Sequence, residues 1–305
     1  MSRVVVVGDA LIDEIRDHKG VREFVGGAAL NVAVGLQRLG VPAALVAMVG
    51  DDEAGEHIRT YVADHGVELI ATEAPHGSAR AVSTRNADGE PEYEFNEASQ
   101  KRHIGFDSAA VTDALAEAPL VAVSCMALDD LDQVRALADA VEYVGAPFAI
   151  DPNPRTGMMR DLGLFVTGFE RLAARAALVK VGADDSHLLY GTPVDALRAR
   201  LIEQGARAVL ATEGADGASI EAGGVVVTAP ISTMPGPIID TMGAGDAVFA
   251  SMLSALVRGV PRDPDQWRAA LHDAMDAAAA TCRFEGALLR LPTAIHGDDF
   301  DRIGT

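Results

Sequence analysis

The run Asp240-Thr-Met-Gly-Ala-Gly-Asp246 sets two glycines and two acids just ahead of Val248, Phe249, Met252, Leu253, Leu256 and Val257. Apolar residues at that spacing mark the buried face of a helix, so the glycine-rich turn opens one. The first N–H groups of a helix have no intrahelical acceptor. Here they belong to Gly243, Ala244, Gly245 and Asp246. Such an end binds anions through its donors and its dipole together, and the missing side chains at two positions let a phosphate reach the backbone. Asp246 falls in the first turn, where negative charge is favoured and the carboxyl pKa is expected to stay low.

A second small-residue turn, Gly26-Gly-Ala-Ala-Leu-Asn31, precedes Val32, Ala33, Leu36 and Leu39 and also opens a helix. A sugar lying flat on a backbone needs such small residues and an amide like that of Asn31 to bond its hydroxyls. The same turn also suits a plain strand-to-helix connection with Asn31 as a local cap. Asp13 closes Gly8-Asp-Ala-Leu-Ile-Asp13 after the first apolar run. There its carboxylate can accept two hydroxyls or remain a solvated loop acid.

These residues need elements to hold them. Runs at 4–7, 43–49, 120–123, 148–150, 178–181 and 208–211 are almost wholly apolar, the pattern of strands buried on both faces of a parallel sheet. Between them, 28–39, 53–65, 129–144, 184–190 and 194–204 carry helical periodicity. Repeated alternation predicts a doubly wound α/β sheet with helices on both faces. Ligands of such sheets bind beyond the carboxyl ends of the strands. Segments 12–25 and 79–96 alternate polar with apolar residues, as in Arg80-Ala-Val-Ser-Thr-Arg85. They predict a small antiparallel β lid with one wet face, inserted in a single α/β core spanning 1–305.

Composition narrows the function. The chain has 305 residues, 49% of them apolar, and a formal net charge of −20. Nucleic acid and anionic membranes require clustered Lys and Arg and are disfavoured as partners. A phosphate site on so acidic a chain must attract its ligand locally. Two distant cysteines, Cys125 and Cys282, favour a reducing cytoplasm over a disulfide. The apolar run at 4–7 is too short for a signal peptide, and no run is long enough to span a membrane. There is no GxxxxGK[ST] loop, and no GxGxxG follows the first strand, which disfavours P-loop and dinucleotide enzymes.

Taken together, the two glycine turns resemble the signatures of the ribokinase/PfkB carbohydrate kinases: GG-x-x-x-N at Gly26 to Asn31 and DTxGAGD at Asp240 to Asp246. Asp151-Pro-Asn-Pro-Arg155, Thr212-Glu-Gly-Ala-Asp-Gly217, Arg283-Phe-Glu-Gly-Ala287 and Leu291-Pro-Thr293 extend the likeness along the chain. The resemblance implies a Rossmann-like core with a lid, a homodimer joined through that lid, ATP and Mg²⁺, and optionally a monovalent cation such as K⁺. It implies Asp246 as general base, with Gly243, Ala244 and Gly245 completing an anion hole. Asp13, Gly27, Ala28, Asn31 and Arg155 would bind the sugar; Thr212, Gly214, Gly217, Asp240 and Thr241 would line the nucleotide. The family's N-x-x-E metal pattern reads Gly182-Ala-Asp-Asp185 here, so Asp185 keeps the acid while the Asn is lost.

For the substrate, the stretches at Gly8 to Asp13 and Asp151 to Arg155 look like those of fructokinases or ketodeoxygluconate kinases. The latter place an aromatic-x-Arg group in the lid, where this chain has Tyr93-Glu-Phe-Asn96-Glu97. A neutral sugar such as fructose is therefore expected ahead of a sugar acid, ribose or a nucleoside. A catalytically silent binding protein is the alternative from another class.

Overall fold

The computed structural model describes residues 2–17, 20–85 and 91–293. In chain order, β1 (Val4–Gly8), β2 (Leu11–Asp17) and β3 (Gly20–Gly26) lead into α1 (Ala28–Arg38). Next come β4 (Ala43–Met48), α2 (Glu53–Asp64), β5 (Glu68–Thr72), β6 (Ala79–Arg85), β7 (Pro91–Phe95), α3 (Glu97–Gln100) and α4 (Ala109–Glu117). The middle holds β8 (Val121–Ser124), α5 (Leu131–Val144), β9 (Phe148–Asp151), α6 (Leu162–Ala173), β10 (Leu178–Gly182), α7 (Ala183–Tyr190), α8 (Val194–Glu203) and β11 (Ala208–Thr212). The hairpin of β12 (Ala218–Ala222) and β13 (Val225–Ala229) precedes α9 (Ala244–Arg258) and α10 (Pro264–Thr281).

Nine strands form one sheet in the order β13-β12-β11-β10-β9-β8-β1-β4-β5. All its pairs are parallel except those that β12 makes with its two neighbours. Successive residues of a strand face opposite sides. Val4 and Val6 accordingly join the core under α1, α9 and α10 with Leu30, Phe249 and Leu271, whereas Val5 and Val7 join Leu115, Phe165 and Phe169 on the other face. The chain runs outward from β1 to β4 and β5, then returns to β8 on the other flank of β1. The strand order thus reverses between β1 and β8, and in such sheets that point opens a crevice at the carboxyl edge.

The second sheet has the order β3-β2-β6-β7, built from the two segments read as a lid. Residues 18, 19 and 86–90 within them lie outside the described residues. The outer pairs are antiparallel, but β2 and β6 run parallel, which corrects the expectation of a wholly antiparallel patch. Both strands leave the main sheet from its carboxyl edge, one after β1 and one after β5, so they head the same way before each turns back. Leu11, Ala79 and Ala81 bury one face, while Val21 and Phe24 on edge strand β3 are exposed.

Candidate active site

The helix α9 begins on Gly243, whose φ of +76° lies in the left-handed region. A Cβ there would stand 1.9 Å from the Ala287 carbonyl oxygen, so only glycine fits this turn. The Ala244 N–H bonds the Thr241 carbonyl oxygen at 3.3 Å, which removes one of the four donors expected to point outward. Among the described residues, the N–H groups of Gly243, Gly245 and Asp246 have no hydrogen-bond acceptor. Beneath them lies a cation that sequence reasoning missed. A Cβ on Gly245 would come 3.2 Å from Nζ of Lys180, which is buried in β10.

Asp246 is also buried, and Oδ2 accepts a hydrogen bond from the Asn31 side-chain amide at 2.9 Å. This bond ties the first turn of α9 to that of α1. The two helices pack closely enough that a Cβ on Gly35 would lie 3.0 Å from the Ala250 Cβ. Burial raises the Asp246 pKa to about 6, and the Asn31 bond with the charges of Lys180 and Arg155 only partly opposes it. The low pKa expected from the helix dipole is therefore corrected: removing a carboxylate from water outweighs the favourable helix end.

Lys180 Nζ stands 3.0 Å from Asp151 Oδ2, and both residues are buried. Burial works against the Lys180 charge, but the carboxylates of Asp151, Asp185 and Asp246 more than offset it and hold the ammonium protonated. Burial also lifts the Asp151 pKa, opposed by Lys180 and reinforced by Asp185 and Asp246. Asp185 Oδ2 accepts the Gly182 N–H at 2.7 Å and so caps α7. Among the described residues no three His, Cys, Asp or Glu side chains converge as a complete metal cage. The hard oxygens of Asp185 and the unpartnered Oδ1 of Asp151 do suit Mg²⁺, which takes one or two protein carboxylates and completes its shell with water and phosphate.

On the β1 side, Gly27 has φ +115°, and a Cβ there would stand 2.6 Å from the Asp9 carbonyl oxygen. Ala28 is buried behind it. Asp9, which the sequence reading passed over, caps α1: Oδ1 accepts the Ala29 N–H at 3.0 Å. Asp13 is pushed up to about 6 by burial and by the neighbouring Asp9 charge, with Arg155 opposing. Arg155 follows β9, and its charge acts on Asp9, Asp13 and Asp246 alike, so the residues read as sugar-binding share one electrostatic neighbourhood with Asp246. Cys125 and Asn153, just past β8 and β9, are the non-glycine residues with positive φ among those described, at 51° and 37°. Such backbone strain gathers where a site dictates the chain path.

Farther along the same edge, Thr212 ends β11 in register with Gly182. Gly214 and Gly217 follow, with φ of +56° and +97°, and a Cβ on Gly217 would strike the Ala229 carbonyl oxygen. Asp240 braces the approach to α9 by accepting the N–H groups of Met242 at 2.9 Å and Gly286 at 3.2 Å. Ile238, Ile239 and Met242 of this approach are exposed beside Thr241, an apolar strip suited to a planar base. Thr212, Gly214 and Gly217 thus lie at the end of β11, whereas Asp240 and Thr241 sit on the approach to α9. Among the described residues, no helix is long and apolar enough to cross a membrane, and Cys125 and Cys282 are free thiols.

Comparison with known proteins gives one consistent result. The sequence model of the pfkB family carbohydrate kinases matches residues 1–294. A fructokinase of Rhizobium leguminosarum bv. trifolii is 30% identical over 83% of this chain and 79% of its own length. The solved aminoimidazole riboside kinase of Salmonella enterica, in complex with aminoimidazole riboside and an ATP analog, superposes with a TM-score of 0.78 at 25% identity. That match covers 97% of this chain and 99% of the other. A fructokinase of Xylella fastidiosa with bound ATP gives a TM-score of 0.80 at 20% identity, covering 97% of both chains.

Proposed function

Because the chain belongs to the PfkB family of carbohydrate kinases, which are ATP-dependent phosphotransferases, we propose that it transfers the terminal phosphoryl group of ATP to a hydroxyl of a neutral sugar such as fructose. The observation that carries this reading is the buried Asp246, held by Asn31 at the mouth of a helix whose first donors have no acceptor. A carboxylate with a pKa near 6 is ionised at neutral pH yet basic enough to take the hydroxyl proton as attack proceeds. The N–H groups of Gly243, Gly245 and Asp246 then meet the charge spreading over the equatorial oxygens, with the Lys180 ammonium below the turn. Such transfers depend on positioning and charge stabilisation more than on covalent chemistry. Asp185 and Asp151 would hold Mg²⁺, which when bound neutralises phosphate charge. Thr212, Gly214, Gly217, Asp240 and Thr241 would line the nucleotide.

Asp13, Gly27, Ala28, Asn31 and Arg155 would hold the sugar, with Asp13 accepting its hydroxyls. A neutral substrate is supported by the local charge. Arg102 and Arg155 face Asp9 and Asp13, so their charge is already balanced, and a sugar carboxylate would add a further anion beside Asp246. A coupled ADP-release assay across neutral sugars, sugar acids and nucleosides tests the reading. Turnover of fructose above the rest is expected; turnover of a sugar acid alone would overturn it, and the absence of ADP release with every compound would favour the silent alternative.

A further inference from the structure

The last turn of α9, at Leu256 and Val257, lies roughly 16 Å along the helix from Asp246, since each residue adds about 1.5 Å. It reaches the amino edge of the main sheet, away from the candidate active site. There it borders a cavity of about 470 Å³, shared with the residues that precede β8, β9, β10 and β11, the β12–β13 turn and the start of α10. The walls include Pro119, Pro147, Val227, Val257 and Trp267. Val225 and Val260 also line it and are exposed, so its mouth opens to solvent. None of the residues assigned to sugar, nucleotide or Mg²⁺ borders it. Its volume falls among those of small-molecule sites, about 300–1,000 Å³, whose walls are mostly apolar with a few polar groups.

The charged lining residues are Arg207, Arg262 and Asp263. Asp263 is committed to its own helix, because Oδ1 accepts the Gln266 N–H at 2.9 Å. Gln266 Oε1 in turn accepts the Arg262 N–H at 2.9 Å, which fixes the backbone that carries Arg262. The Arg207 N–H bonds the Ala176 carbonyl oxygen at 3.0 Å and anchors that residue at the start of β11. Among the described residues neither guanidinium has a hydrogen-bond acceptor or an ion-pair partner. That is notable in a chain with 45 acids against 25 Lys and Arg; nearby Arg268, which does not line the cavity, pairs with Asp265. Two free cations select an anion. Tryptophan, proline and valine walls select an apolar body, whose entry releases water from them. A neutral sugar offers neither feature, and inorganic phosphate offers only the charge.

We infer that this cavity is a second binding site, for a small organic anion with an aromatic or aliphatic body and a carboxylate held by Arg207 and Arg262. The inference does not rest on the sugar-kinase reading, because its test measures binding and needs no turnover. Trp267 is the only tryptophan of the chain, so its emission reports on the cavity directly. The full chain is titrated with phenylbutyrate, with the matching neutral alcohol phenylbutanol and with inorganic phosphate, following both emission and heat. Phenylbutyrate should give a saturable change in emission, the alcohol should bind about an order of magnitude more weakly, and phosphate should leave emission unchanged. Arg207→Met and Arg262→Met, at exposed positions, should keep the melting temperature. Each should weaken phenylbutyrate about fivefold, the size of one ion pair open to solvent, and leave the alcohol as it was. Arg268→Met should change neither ligand. Equal affinity for acid and alcohol, or arginine variants that bind the acid as wild type does, would overturn the inference. Heat of binding without any change in Trp267 emission would place the anion elsewhere and overturn it too.

Discussion

Asp246→Asn separates what the aspartate does for the reaction from what it does to the fold. Asparagine keeps the shape and can still accept from the Asn31 amide, but it has no proton affinity and no charge to desolvate. As general base, Asp246 is expected to be worth about 10²–10⁴ in kcat, so the variant should lose at least about a hundredfold. Stability should move the other way. The folded-state pKa is raised from an ordinary 3.8 to about 6. At about 1.4 kcal/mol per unit, the buried charge costs at most about 3 kcal/mol above pH 6. That figure is already net of the Asn31 bond, so the variant should gain up to about 3 kcal/mol, or a few degrees in Tm.

The sign with pH is fixed. A carboxyl whose pKa rises on folding contributes stability that is fully present below 3.8 and lost as pH rises through about 6. The advantage of Asp246→Asn in thermal scans without ligand should therefore be largest at pH 7–8 and shrink as pH falls through 6. A variant that keeps most of its turnover sinks the base assignment. One that is active-site dead but less stable than wild type at pH 8 sinks the claim that the carboxylate is buried against its own preference.

Asp13→Ala should raise the sugar KM about ten- to hundredfold with little change in the KM for ATP, and movement of the ATP value alone would mean the two flanks are assigned backwards. Because burial raises both Asp13 and Asp246 to about 6, the acid limb of kcat/KM in wild type should be steeper than one proton, and Asp13→Ala should make it shallower. Lys180→Met leaves Asp151 buried beside Asp246 without its cation, a change that typically costs about 3–5 kcal/mol. Since Asp151 can take up a proton instead, the loss measured by denaturant should be greater at pH 8 than at pH 5; equal losses would show that the pair is not electrostatic in origin. The exposed Val21 and Phe24 of β3 favour pairing of two lids, for which light scattering at micromolar concentration should return a dimer, and a clean monomer rejects it.

The turn at Gly243 was legible because no other residue tolerates its backbone and the apolar stripe behind it marks a helix. The parallel strands were legible because burial on both faces demands unbroken apolar runs, as in Val4–Gly8. Other elements carried signals that went unread. Asp263 and Pro264 announce α10 by an N-cap followed by proline in the first turn, and Asp161 is the N-cap of α6, accepting the Leu164 N–H. The Gly223-Gly224 pair, both with positive φ, is the tight turn of the β12–β13 hairpin. Lys180 is a single charge inside an otherwise apolar strand, which by itself requires a buried acid nearby; Asp151, ending the adjacent β9, is that acid. The Asp246 pKa was not legible at all. Helix position can be read from a sequence, but the depth at which the helix end is buried depends on packing of α1 against α9, which local pattern does not encode.

That packing also shapes how an acidic protein can take an anionic substrate. Asp9, Asp13, Asp151 and Asp246 all have pKa values raised chiefly by burial, so the cleft holds its carboxylates against their preference. Only three cations, Arg102, Arg155 and Lys180, appear among their opposing charges. On the proposed reading each substrate relieves a different part of this strain. Sugar hydroxyls donate to Asp13 and Asp246, replacing the hydrogen bonds lost from water. The phosphates, with Mg²⁺, meet Lys180 and the donors of α9 while the metal supplies positive charge beside Asp151 and Asp185. Neither substrate alone satisfies both groups, because Asp246 stands between the two flanks and its pKa answers to Asn31 on one side and Lys180 on the other. On that reading, binding of sugar and nucleotide would be coupled through the ionisation of one carboxylate, with the acid most firmly charged when both flanks are filled.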